Sequence, residues 1–122
     1  MGSHPINLAV RFLLELAALI SFGIWGWRQY DGWLRFVLAL GIPVILATIW
    51  GIFAVPNDPS RSGAAPIPIP GVARLLLELA FFAFATWCLK EIGFTKASII
   101  YGIIVIIHYI LSYDRIVWLF AR

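Results

Sequence analysis

Two seven-residue stretches carry most of the chemistry this chain could do. Arg11-Phe12-Leu13-Leu14-Glu15-Leu16-Ala17 and Arg74-Leu75-Leu76-Leu77-Glu78-Leu79-Ala80 lie 63 residues apart and agree at six of seven positions. In each, a guanidinium precedes a carboxylate by four residues, the spacing at which helix side chains meet and pair. A charged residue at the centre of a membrane helix costs about 2.5–3.5 kcal/mol on insertion scales. Repeated leucines carry no such cost, so the repeated charges are the informative part. If both helices turn these faces inward, Arg11 can also reach Glu78 and Arg74 can reach Glu15, forming a four-member network. That network can fix helix packing and register. Alternatively, Glu15 and Glu78 can line a polar cavity that binds a proton, a cation or a small solute.

Other candidates gather near the C-terminus. Tyr101, His108, Ser112 and Arg115 fall within about 60° of one another at 100° per helical residue, a polar stripe facing the same way. His108 can pair with a glutamate or shuttle a proton, or it can serve as an interhelical hydrogen-bonder. Tyr101, His108 and Ser112 are therefore read as secondary liners of the charged site. Pro43, inside an apolar run, frees the carbonyl of Ala39 and either opens a site or is a tolerated kink. Small-xxx-small spacings at Ala17 and Ser21, Ala47 and Gly51, and Ser98 and Gly102 mark expected packing faces. No nucleophile elbow, phosphate loop or metal-ligand spacing occurs, so neither an enzyme, a metal nor a cofactor is expected.

The elements that must position these residues follow from composition. Of the 122 residues, 62% are hydrophobic and 12% charged, against roughly 45–50% and 25% in soluble domains. A chain this short cannot bury so much apolar surface in water, and lipid is the solvent that fits. Four apolar stretches, residues 8–27, 34–55, 71–89 and 97–113, are each read as a helix crossing a hydrocarbon core, which takes about 20 residues. Residues 114–122 form an interfacial helical tail, and the Pro-rich residues 56–70 a stiff connector between two hairpins. Asp31 and Thr95 are placed to cap the second and fourth helices. Trp25, Trp27, Trp33 and Trp87 sort to one interface, and Trp50 and Trp118 to the other. Basic residues divide evenly: Arg28, Arg35, Lys90 and Lys96 on one face, Arg61, Arg115 and Arg122 on the other, with Arg11 and Arg74 able to snorkel there. No basic cluster suits nucleic acid.

The expected fold is therefore all-α: a single transmembrane domain, residues 1–122, built as a membrane four-helix bundle of two hairpins. An even number of spans separates the two Arg–Glu copies, which makes the repeat parallel, with a pseudo-two-fold axis along the membrane normal. Both termini then lie on the same side. The lipid bilayer is one partner; a small solute or ion and a second copy of the chain are the others this pattern allows.

The runs Asn7-Leu8-Ala9-Val10-Arg11-Phe12-Leu13-Leu14-Glu15-Leu16-Ala17, Trp50-Gly51-Ile52-Phe53-Ala54-Val55-Pro56 and Arg74-Leu75-Leu76-Leu77-Glu78-Leu79 resemble the YrdB-like family of small bacterial four-helix membrane proteins. The resemblance extends through the third helix and implies a fold and a bacterial inner-membrane location, with no reaction attached. The leading functional expectation is a proton-, cation- or small-solute-binding transport bundle around Arg11, Glu15, Arg74 and Glu78. The competing one is a non-catalytic structural or partner-docking subunit in which these pairs only hold the helices.

Overall fold

In the computed structural model, which describes residues 4–58 and 65–122, the chain is predominantly helical. The helices are α1 (Pro5–Trp27), α2 (Leu34–Ile52), α3 (Gly71–Glu91), α4 (Thr95–Leu111) and α5 (Tyr113–Phe120). Three of them, α1, α2 and α3, are long and apolar enough to cross a membrane; α4 and α5 together make a fourth candidate, bent by 67° at their junction. Pro5 opens α1, where its missing N–H is no loss. His4 caps that helix, its Nδ1 accepting from the backbone of Ile6 at 3.2 Å.

The expected caps at Asp31 and Thr95 are not used. α2 starts after Trp33 and α4 after Phe94, neither with a side-chain cap. Lys90 in the last turn of α3 suits the negative end of its dipole. The connector also departs from a simple spacer. A two-residue strand β1 (Phe53–Ala54) pairs in parallel with β2 (Ile67–Pro68), and Ile69 N–H donates to Ala54 O at 2.9 Å. The connector's ends are thereby tied together and held against the helices. Arg61 lies outside the described residues.

Burial follows helical periodicity. α1 buries Asn7, Arg11, Leu14, Ala18, Ser21, Phe22 and Gly26. α3 answers with Gly71, Arg74, Leu75, Glu78, Phe81, Phe82, Ala85 and Cys88. α4 contributes Ser98, Tyr101, Val105, His108 and Tyr109. α2 buries no residue and lies mainly on α1. That seam is backbone against backbone: a Cβ on Gly23 would meet Ala39 O at 3.2 Å, and one on Gly26 would meet Leu38 O at 2.7 Å. The Ala39 carbonyl that Pro43 frees thus lies against α1 at Gly23. Ser98 and Gly102 do mark a contact face, with Ser98 Oγ donating to Thr86 O at 2.7 Å and Gly102 beside Thr86. Ala47, by contrast, is exposed.

This seam yields a direct prediction. Gly26→Ala is expected to destabilise by about 1–3 kcal/mol through overpacking against Leu38. Gly41→Ala, where nothing lies within 4 Å, is expected to be neutral or to gain up to about 1 kcal/mol from helix propensity. Thermal unfolding in detergent compares the two, and equal melting points would contradict the close α1–α2 seam.

Candidate functional site

Glu78, on the inner face of α3, is the hub of the charged residues. Its Oε2 accepts from Arg74 Nε at 2.8 Å and from Arg115 Nη2. Its Oε1 accepts from Tyr109 Oη at 2.8 Å and lies 2.9 Å from Arg11 Nη2. Three guanidiniums from three helices thus converge on one carboxylate that is 0% exposed. Arg11 also pairs with Glu15 within α1 at 3.3 Å. Arg115 reaches Asp58 at 2.5 Å, tying α5 to the connector.

Arg74 has a second task. Its Nη1 donates to the carbonyls of Trp50 at 2.6 Å and Phe53 at 2.8 Å. The last carbonyls of a helix have no partner within it, so this guanidinium supplies the C-terminal cap that α2 lacks locally. The Trp50 ring covers the cluster from outside, with Arg74 Cζ 4.2 Å and Arg11 Cζ 5.4 Å from its centre. Its other contacts are Phe81 and Phe82. Trp50 is thus a lid on the charges, and Arg11 and Arg74, both buried, turn inward.

Charge balance explains how so many ions tolerate burial. Arg11, Arg74 and Arg115 are matched by Glu15, Glu78 and Asp58, giving a neutral set. Donors are nevertheless in surplus, because each guanidinium carries five N–H groups. Nη1 of Arg11 and Nε of Arg115 are buried without a hydrogen-bond partner. The cluster is rich in donors.

The two sequence copies are not equivalent in space. Glu78 is fully enclosed, whereas the Glu15 side chain is 24% exposed and meets Arg11 at longer range. The predicted cross-helix pair of Arg11 with Glu78 is present, while Arg74 spends Nε on its own helix and Nη1 on the end of α2. The polar stripe faces inward, with Tyr101, His108, Ser112 and Arg115 all buried. His108 Nδ1 lies 3.0 Å from Asn7 Oδ1, and Asn7 Nδ2 donates to Ser112 Oγ at 2.7 Å. Tyr101 Oη donates to Leu14 O at 2.7 Å. Tyr101, His108 and Ser112 all make interhelical hydrogen bonds, and Tyr101 also lines an apolar groove between α1 and α4; none of four apolar grooves formed by described residues touches Glu15, Glu78 or His108. Among the described residues no three His, Cys, Asp or Glu side chains are grouped to hold a metal.

Three participants, Tyr109, Asn7 and Asp58, escaped the sequence reading, and Arg115 was read only as part of the polar stripe. Arg115 was legible on the His108–Ser112 stripe, yet the break after Leu111 suggested a tail at the interface. Tyr109 is masked by its apolar neighbours, and Asn7 makes its contacts across more than a hundred residues. Asp58 sits in the connector, where nothing local marks it.

Comparison with known proteins gives a consistent assignment. Residues 9–106 match the model of a family described as "Protein of unknown function (DUF2568)". The chain is 45% identical over 116 residues to "Uncharacterized protein YrdB" of Bacillus subtilis (strain 168), covering 95% of this chain and 94% of the relative. No solved structure matches.

Proposed function

This chain belongs to the YrdB-like DUF2568 family, and within it we propose a non-catalytic membrane module whose Arg–Glu network is a clasp. The observation that carries this reading is Glu78: fully buried, with both oxygens engaged by Arg11, Arg74, Arg115 and Tyr109. A carboxylate so enclosed offers no vacant acceptor to a cation or a proton. The clasp joins α1, α3 and α5 to the end of α2 and to the connector. It closes one end of a four-helix bundle and leaves the outer faces free for lipid or a partner.

On this reading α4 and α5 complete the fourth crossing, so both termini share one side of the bacterial inner membrane. The repeated Arg–Glu motif is a parallel repeat related by a pseudo-two-fold axis, in which the second copy became the hub and the first its satellite. The alternative, a proton-, cation- or solute-transporting bundle, draws its support from Glu15, the one carboxylate of the set with an accessible side chain.

The test replaces Glu15 and Glu78 by Gln, singly, and measures folded yield in detergent and pH-dependent solute flux in liposomes. A clasp predicts that Glu78→Gln lowers folded yield severalfold, and that Glu15→Gln leaves both yield and flux near wild type. Flux lost at normal yield in either variant would replace the clasp by the transport reading.

A further inference from the structure

A groove of about 440 Å³ runs between α1 and α4. Its walls are Ile20 and Ile24 on one side and Ile100 and Ile104 on the other, with Ala17, Ser21 and Ala97 leaving room between them. From Phe94 to Ile104 the lined part of α4 extends about 15 Å at the helical rise per residue. Both walls end in a cation at the same end. On α1 the i, i+4, i+8 series is Ile20, Ile24, Arg28; on α4, read backwards, it is Ile104, Ile100, Lys96. Arg28 and Lys96 are both exposed. The Arg28 guanidinium lies 6.0 Å from the ring centre of Phe94, a groove-lining residue, and donates to the Ile92 carbonyl.

We propose that this groove binds one anionic phospholipid, an acyl chain lying between the isoleucine walls and the phosphate held between Arg28 and Lys96. Charge complementarity selects this occupant. The lining is apolar along its length, and its two walls terminate in positive charge where a headgroup would sit, the arrangement by which basic pockets between membrane helices take acidic headgroups. The groove between α2 and α3 is smaller, about 170 Å³, and the cation beside it, Arg74 over the Trp50 ring, is already engaged by Glu78 and by the Trp50 and Phe53 carbonyls. This inference does not depend on the clasp.

The experiment is native mass spectrometry of the detergent-purified protein equilibrated with equimolar dioleoyl phosphatidylglycerol and dioleoyl phosphatidylcholine. One phosphatidylglycerol is expected to be retained with a preference on the order of tenfold. Arg28→Gln with Lys96→Gln should bring the two lipids to parity, and Ala97→Phe should lower retention of both by filling the slot. Because Arg28 also holds the Ile92 carbonyl, Lys96→Gln alone is the second arm, expected to lose about threefold in preference. Glycerol phosphate at equal concentration should not displace the lipid; displacement would overturn the acyl-chain contact. Equal retention of both lipids by wild type, or a preference untouched by Lys96→Gln and by the double variant, would overturn the site. So would a dimer that excludes phosphatidylglycerol and is abolished by Ala97→Phe.

Discussion

Glu78→Ala is expected to destabilise the fold by about 3–5 kcal/mol, the usual cost of removing one partner from a buried ionic cluster. The substitution strands three guanidiniums in a buried interior with only Glu15 and Asp58 to balance them, and it removes the acceptor that joins α3 to α1, α4 and α5. The measurement is thermal unfolding of the detergent-purified variant, followed by near-ultraviolet circular dichroism and by size-exclusion profile. A melting point within about one degree of wild type would show that the network carries no structural load. Adding Arg115→Met to Glu78→Leu should recover part of the loss, since replacing buried ionic partners by apolar groups is often neutral while orphaning one is not. The two changes are therefore expected to be far from additive, as contacting residues generally are.

Gly71→Ala should detach α5. A Cβ at this position would lie 1.6 Å from Leu119 O, 2.4 Å from its carbonyl carbon and 2.8 Å from its Cα, all backbone atoms that cannot swing aside. α5 must lift from the start of α3, which also breaks the hydrogen bond from Gly71 N–H to Arg122 O at 3.3 Å. Arg115 moves with it, away from Glu78 and Asp58, so the overpacking penalty of about 1–3 kcal/mol is joined by partial loss of the clasp. Leu119, now fully buried, offers a readout: a Leu119→Cys thiol should react with maleimide at least tenfold faster in the Gly71→Ala background, since protection reports the opening equilibrium. Unchanged labelling would mean that α5 is held by something other than this seam.

Sequence alone determined the long apolar helices α1, α2 and α3, because apolar runs of about 20 residues stand out in composition whatever their neighbours. It also determined that Arg11, Glu15, Arg74 and Glu78 belong together, because charge is too costly in such helices to recur by chance. The stripe of Tyr101, His108, Ser112 and Arg115 was legible from the helical period. The hierarchy among those charges was decided only by tertiary structure. The matching copies predict equal glutamates, yet Glu78 is central and Glu15 peripheral, because α5 folds back to deliver Arg115 to one of them alone. The turn after Leu111, the reach of Asp58 from the connector and the use of Arg74 to cap α2 are all contacts between residues distant in sequence. Periodicity records which way a side chain faces along its own helix; which helix meets that face depends on close approach of backbones at Gly26 and Gly71, and nothing local encodes it.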